Sequence, residues 1–182
     1  RYKVGAFLWN GHEGEVPAFS DLMNLVKAQN IPSVVLAQND KIHYEASDLK
    51  VLLPDDRTLE SKDVNDTALV LELVSNNSKT LFTGDISEKI ENELMKIINS
   101  SVDILKVAHH GSKFSSSEEF LKALRPKLAL IEVGKNSYGH PTSEVLERLK
   151  NVGASIFRTD QNGNIELVID GKSIKVFATA GL

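Results

Sequence analysis

Two apolar runs constrain this chain more than any other feature. They are Lys79-Thr80-Leu81-Phe82-Thr83 and Ile104-Leu105-Lys106-Val107-Ala108. Each stops abruptly, the first at Gly84-Asp85 and the second at His109-His110-Gly111-Ser112. The segment between them is long enough for one helix. Ser87 is placed to cap it, Glu88 and Glu91 sit in its first turn, and Ile90, Leu94, Ile97 and Ile98 form one apolar stripe. A strand-helix-strand unit of this length makes its strands parallel neighbours, because the crossover carries the helix over the sheet. Asp85 and the histidine pair are then expected side by side on one sheet edge. Taken singly, Gly-Asp also reads as a turn before a helix, and His-His-Gly-Ser as a cap. Together, a carboxylate and two imidazoles at adjacent strand ends are ligand chemistry suited to Zn, Mn or Fe.

Other chemistries are narrowed by composition. There is no cysteine, so neither a disulfide nor a thiolate metal site is available. The formal net charge of -4 advertises no nucleic-acid footprint over the whole chain, so any basic surface must be local. No apolar run approaches the ~18 residues that span a bilayer, and no signal peptide is visible. The 182 residues suffice for one domain with a real core. The sequence opens at Arg1 rather than Met, which leads us to expect a piece of a longer protein.

Along the chain, Tyr2 to Trp9 reads as a strand and His12 as a solvated loop residue. A helix is predicted from Pro17, with Phe19, Leu22, Met23 and Val26 at helical spacing. Ser33 to Ala37 reads as a strand, and Lys41 to Glu45 with Leu49 to Leu53 as a hairpin that puts His43 on a sheet face. Pro54 to Val64, charged and polar, reads as a mobile loop. Ala68 to Val74 and Lys79 to Thr83 read as a hairpin turned at Asn76-Asn77-Ser78. The second half repeats the strand-helix order. Ser116-Ser117-Glu118-Glu119 fits a capping box before Phe120, Leu121 and Leu124, and Leu128 to Val133 is a buried strand. Glu132 is an odd acid within that strand. A helix from near Thr142 and short strands at Ser155 to Arg158, Asn164 to Ile169 and Ser173 to Ala178 close the chain. This order implies an α/β protein with helices outside its sheets, and a four-layer αββα sandwich fits it.

Several segments together resemble the metallo-β-lactamase superfamily, and within it the C-terminal hydrolase domain of ComEC/Rec2 competence proteins. They are Leu81-Phe82-Thr83-Gly84-Asp85, Asp103 through Ser112, and Gly134-Lys135-Asn136-Ser137-Tyr138-Gly139-His140-Pro141, with Asn65-Asp66-Thr67-Ala68-Leu69-Val70 and Arg158-Thr159-Asp160 in support. The resemblance covers nearly the whole chain. It implies a metallo-β-lactamase-like αββα fold with two divalent metal ions, Zn or Mn. Asp85 would bridge the ions. His109 or His110 would be a late ligand, and the other could hydrogen-bond a phosphate. His140 would approach the substrate or donate a proton. Ser112 and Lys113 would offer a hydroxyl and a charge to a phosphate. The implied activity is phosphodiester hydrolysis on single-stranded DNA during uptake, in a bacterial protein held at the inner membrane by a channel domain.

One departure is large. The superfamily signature H-x-H-x-D-H is absent, since the only histidines are His12, His43, His109, His110 and His140. The expectation is therefore a single partial domain over residues 1–182, N-terminally truncated, that alone binds metal weakly and is inactive. Two other readings stand beside it. One is a free-standing hydrolase, cytoplasmic or secreted, of another ester or phosphoester. The other is a non-catalytic remnant of the fold.

Overall fold

The computed structural model describes residues 2–14 and 16–180. Its centre is a seven-stranded mixed sheet in which the strands follow chain order. β3 (Lys41–Tyr44), β4 (Ser47–Leu53), β5 (Val70–Ser75) and β6 (Ser78–Phe82) pair antiparallel. β6, β7 (Ile104–Lys106), β8 (Leu128–Ile131) and β9 (Ser155–Arg158) pair parallel. The β5–β6 turn is at Asn76 and Asn77, both with positive φ, as the tight hairpin twist requires.

Each parallel step carries a helix. α3 (Glu88–Leu94) joins β6 to β7, α4 (Glu118–Leu124) joins β7 to β8, and α5 (Ser143–Asn151) joins β8 to β9. Their apolar stripes bury Ile90, Leu94, Phe120, Leu121, Leu124, Val145 and Leu149 against Leu81, Leu105, Ala129 and Ile131 of the sheet. Full burial of such a side chain contributes about 1.5–3 kcal/mol, so this layer fixes the parallel half and, with it, the strand ends.

Two small sheets complete the α/β sandwich. β1 (Phe7–Trp9) pairs parallel with β2 (Ser33–Val35), with α1 (Pro17–Ala28) between them. β10 (Ile165–Ile169) and β11 (Ile174–Ala178) form an antiparallel hairpin, in which Ile165, Leu167, Ile169, Ile174 and Val176 are half-buried and the alternate residues exposed. Asn76 Nδ2 donates to the Ile169 carbonyl at 2.9 Å and ties this hairpin to the main sheet. Among the described residues, no helix is long and apolar enough to cross a membrane.

Several local expectations need correction. The strand expected over Tyr2 to Trp9 is only Phe7–Trp9. On α1, Val26 is buried but Leu22 is exposed. The stretch read as a mobile loop contains α2 (Asp56–Leu59). Asp55 accepts the Thr58 N–H at 2.8 Å while the Asp55 N–H donates to Thr58 Oγ1 at 2.9 Å, a reciprocal cap that stabilises one turn without any apolar stripe. Ser87 precedes α3 without a side-chain cap bond. Ser117 caps α4 by accepting the Phe120 N–H at 3.4 Å, with no reciprocal acid. β8 ends at Ile131, so Glu132 lies beyond the strand, its side chain mostly exposed and 3.6 Å from Lys106 Nζ.

Candidate active site

The carboxyl ends of β6, β7 and β8 lie in a row, and each opens into a turn that carries candidate chemistry. Open α/β sheets bind ligands outside such ends.

After β6, Thr83 is fully buried and its hydroxyl donates to the Lys106 carbonyl at 2.7 Å, extending the β6–β7 link past the ladder. Gly84 has φ +56°, and a Cβ there would lie 2.9 Å from the Ala68 methyl. That turn delivers Asp85. Asp66, named in the sequence only within a segment that supports the resemblance, is buried and accepts the Ser87 N–H at 3.1 Å, fixing the chain just past Asp85.

After β7, the His109 N–H donates to the Gly84 carbonyl at 3.1 Å, which locks the second turn to the first. His109 and His110 adopt φ of +48° and +54°, consecutive left-handed positions that cost non-glycine residues about 1–3 kcal/mol each. Gly111 follows at φ +84°. His110 Nδ1 lies 2.6 Å from the Glu132 carbonyl oxygen. A carbonyl can only accept, so Nδ1 carries a proton, and in the neutral tautomer Nε2 is the free nitrogen. Nε2 lies 4.0 Å from Asp85 Oδ2.

After β8, Asn136 organises the third turn. Its Nδ2 donates to the Gly134 and His140 carbonyls at 2.9 and 2.8 Å, and its Oδ1 accepts the Tyr138 and His140 N–H groups, each at 3.1 Å. Sequence reasoning assigned Asn136 no part, although Asn between glycines is the ordinary signal of a side-chain-built turn. Thr159 clasps the root of this turn through both backbone groups of Val133, at 2.8 and 2.7 Å. Pro141 packs on Gly111, and the Thr142 N–H donates to the Gly111 carbonyl at 3.0 Å. The contact brings the His140 ring within 5.7 Å of the His109 ring, centroid to centroid. Burial holds the His140 imidazole below its ordinary pKa, the nearby His109 and His110 rings push it the same way, and Asp85 opposes them. His140 is therefore neutral at neutral pH.

The structure thus gathers Asp85, His109, His110 and His140. Ser112 is buried, its Oγ accepting the Phe114 N–H at 3.4 Å, while Lys113 Nζ sits 5.1 Å from the Phe114 ring centroid. His43 stands apart on β3, 2.8 Å from Asp48. A cleft of about 350 Å³ is lined by His110, Lys135, Asn136, Tyr138 and His140. A second, of about 490 Å³, is lined by Ser112, Lys113, Phe114, Tyr138 and His140. A further cleft of about 470 Å³, with Asp103 and Lys127 in its wall, lies at the opposite, amino ends of the parallel strands.

The donors suit a transition-metal ion in kind, since carboxylate oxygen and neutral imidazole are ordinary ligands. They do not suit it in number. Among the described residues, no three His, Asp or Glu side chains converge on one point, so these side chains alone do not make the dinuclear centre that the resemblance implies.

No protein-family model matches the sequence. Among solved structures, a protein named as a metal-dependent hydrolase from Parabacteroides distasonis superposes with a TM-score of 0.52 at 14% identity, over 86% of this chain and 76% of that one. CmlA, a diiron β-hydroxylase from Streptomyces venezuelae, superposes at 0.51 and 10% identity, over 75% of this chain and 35% of that one. The fold is metallo-β-lactamase-like. In sequence, this metallo-β-lactamase-like chain is similar to stretches of longer bacterial proteins. It is 34% identical over 152 residues to ComE operon protein 3 of Bacillus subtilis, across 82% of this chain and 19% of that protein. It is 32% identical over 135 residues to competence protein ComA of Neisseria gonorrhoeae, across 72% of this chain and 19% of that protein. The chain spans about a fifth of the length of these curated relatives.

Proposed function

We propose that this chain carries part of the active site of a metal-dependent phosphoester hydrolase. The observation that supports it most is the meeting of Asp85, His109, His110 and His140 from three successive strand ends, with His110 Nε2 4.0 Å from Asp85 Oδ2. A divalent ion, Zn or Mn, supplies Lewis acidity and an activated water at neutral pH in such enzymes. In this chain Asp85 and His110 would be donors to it, with His109 beside them. The Glu132 carbonyl fixes the tautomer and orientation of His110, as outer partners of ligating histidines do. His140, when neutral, can accept a hydrogen bond or a proton from a bound group through its unprotonated ring nitrogen and donate through the other. Lys113 offers charge to a phosphate. The remaining donors of a two-ion set would come from residues other than these four.

Single-stranded DNA is the substrate this reading favours, because one sequence relative is named as a competence protein. On the same ground the chain belongs to a bacterial DNA-uptake protein, as its C-terminal hydrolase domain, tethered to the inner membrane by a channel portion. A hydrolase of another ester with the same fold is the second reading, supported by the metal-dependent hydrolase among the structural neighbours.

Zn or Mn titration, followed through the imidazole resonances and the release of p-nitrophenol from bis(p-nitrophenyl) phosphate, tests the proposal. His110 is expected to respond first, and Asp85→Ala to weaken the response at least tenfold. Imidazoles unmoved at millimolar metal would overturn the metal assignment. Metal binding without turnover in a protein that also supplies the remaining donors would leave a metal-holding domain and overturn hydrolysis.

A further inference from the structure

The two clefts at the site share one wall, made by Tyr138 and His140. Tyr138 is 80% exposed, and Phe114, in the second cleft, is 69% exposed. A single exposed aromatic is ordinary. Two on the rim of one site, each on a fixed backbone, are a different matter. The Tyr138 N–H is held by Asn136 Oδ1 at 3.1 Å. Its ring lies 5.9 Å from the His140 ring at 29° between planes, so one face is backed by the imidazole. The Phe114 N–H is held by Ser112 Oγ at 3.4 Å, and its carbonyl accepts the Glu88 N–H at the start of α3 at 3.0 Å. Tyr44, equally free, stands on β3 at the far edge of the sheet.

We infer that Tyr138 and Phe114 are stacking platforms for the unpaired bases of a single-stranded nucleic acid that crosses the Tyr138 ridge from one cleft to the other. This rests on the phosphoester reading above and names the subsite that recognises the polymer. Each cleft contributes one lysine, Lys135 on the His110 side and Lys113 on the Phe114 side, where a strand lying over the ridge would carry its phosphates. Each also has an acid, Glu132 in the first and Glu144 in the second. Cations and carboxylates are balanced along the rim, so charge alone does not hold the strand. Stacking is sequence-tolerant because every base has a π-face, whereas a duplex keeps its bases paired away from the rings. The surface is thus selective for single strands and only moderately salt-sensitive, unlike a groove that works by neutralising phosphates.

The test is fluorescence anisotropy with a fluorescein-labelled dT20 strand and no added metal. The proteins are wild type, Tyr138→Ala, Phe114→Ala, the double variant and Tyr138→Trp. Both rings are exposed, so removing them leaves the core untouched. Each alanine is expected to weaken dT20 binding about tenfold, the order expected for one stacked base. Tyr138→Trp is expected to retain affinity, and a duplex of the same length to bind more weakly than the strand. Three results would overturn the inference: no binding of dT20 by the wild type at 0.1 mM protein (on the order of the weakest non-specific nucleic-acid binding), equal binding by the double alanine variant, or preference for the duplex. The metal titration is a separate readout. Loss of stacking with an intact metal response removes only the base subsite. Intact stacking without a metal response removes the hydrolase reading and leaves a strand-binding surface.

Discussion

Removing the Glu91 carboxylate should loosen the turn that follows the histidine pair. Glu91 is fully buried in the first turn of α3, and its two oxygens accept the N–H groups of Ser116 and Ser117, the latter at 2.9 Å. Ser116 has φ +55°, and Arg148 donates from outside to the Ser115 and Ser116 carbonyls at 3.4 and 3.3 Å. Glu91→Ala strands two buried N–H groups, each costing about 1–3 kcal/mol, and removes a buried charge whose desolvation offsets part of that. We expect a net loss of about 3 kcal/mol by urea unfolding, or roughly 6–12 °C in Tm for a chain of this size. Glu91→Gln keeps one acceptor and turns an N–H toward another donor, so about 1–3 kcal/mol is expected. Burial raises the Glu91 pKa above its ordinary value, against the pull of the Ser117 and Ser116 N–H groups. The unfolded carboxyl therefore ionises first as pH rises. Its stabilising contribution is complete below the unfolded pKa and is lost as pH climbs through the raised folded one. The gap between wild type and Glu91→Gln should narrow as pH rises from the ordinary carboxylate range through the raised folded pKa. A Glu91→Ala cost below about 1 kcal/mol, or a gap that widens with pH, would refute the reasoning.

Two further outcomes follow from the same geometry. Gly111→Ala puts a methyl 2.5 Å from Pro141 Cβ at a φ of +84°; we expect a loss of about 2–5 kcal/mol, from left-handed strain plus overpacking, together with loss of the nuclear Overhauser contacts between the His109 and His140 rings, and an unchanged Tm would contradict it. In the β10–β11 turn, the N–H groups of Lys172 and Ser173 pull the Asp170 carboxyl down to about 2. Its contribution to the hairpin is complete above the ordinary carboxylate range and is lost as pH falls through about 2. The Ser173 amide resonance should titrate near that pH, and a midpoint near 4, the ordinary Asp value, would count against the assignment.

The parallel pairing of β6 with β7 was legible because two apolar runs flank one amphipathic segment, and handedness and crossover rules then leave little freedom. The meeting of Asp85 with the histidine pair followed from it. The meeting with His140 was legible only through the resemblance, because it depends on Pro141 packing against Gly111, a contact between turns about thirty residues apart. Glu91 shows why the rest stayed hidden. An acid in a first helical turn already satisfies the dipole rule, so nothing local signals that its oxygens serve backbone in another loop. The charged stretch around α2 reads as a loop by composition, and only the reciprocal Asp55–Thr58 bonds make it a helix. The left-handed His109 and His110 run against residue preference, and the ties from Gly84 and Glu132 hold them there.

The row of strand ends has a consequence for how such a site can diverge. Neighbouring strands stand about 4.8 Å apart, so the sheet works as a ruler with three marks, one for each turn of the site. Lengthening or exchanging one turn slides its side chains along their own mark while the interval to the other two stays set by the ladder. A variant could acquire a new specificity at the β8 mark, around Asn136 to Pro141, with the Asp85 and His110 marks keeping their spacing. Inserting a residue inside β6, β7 or β8 has the opposite effect. It reverses which side chains face the helix layer and erases the marks together.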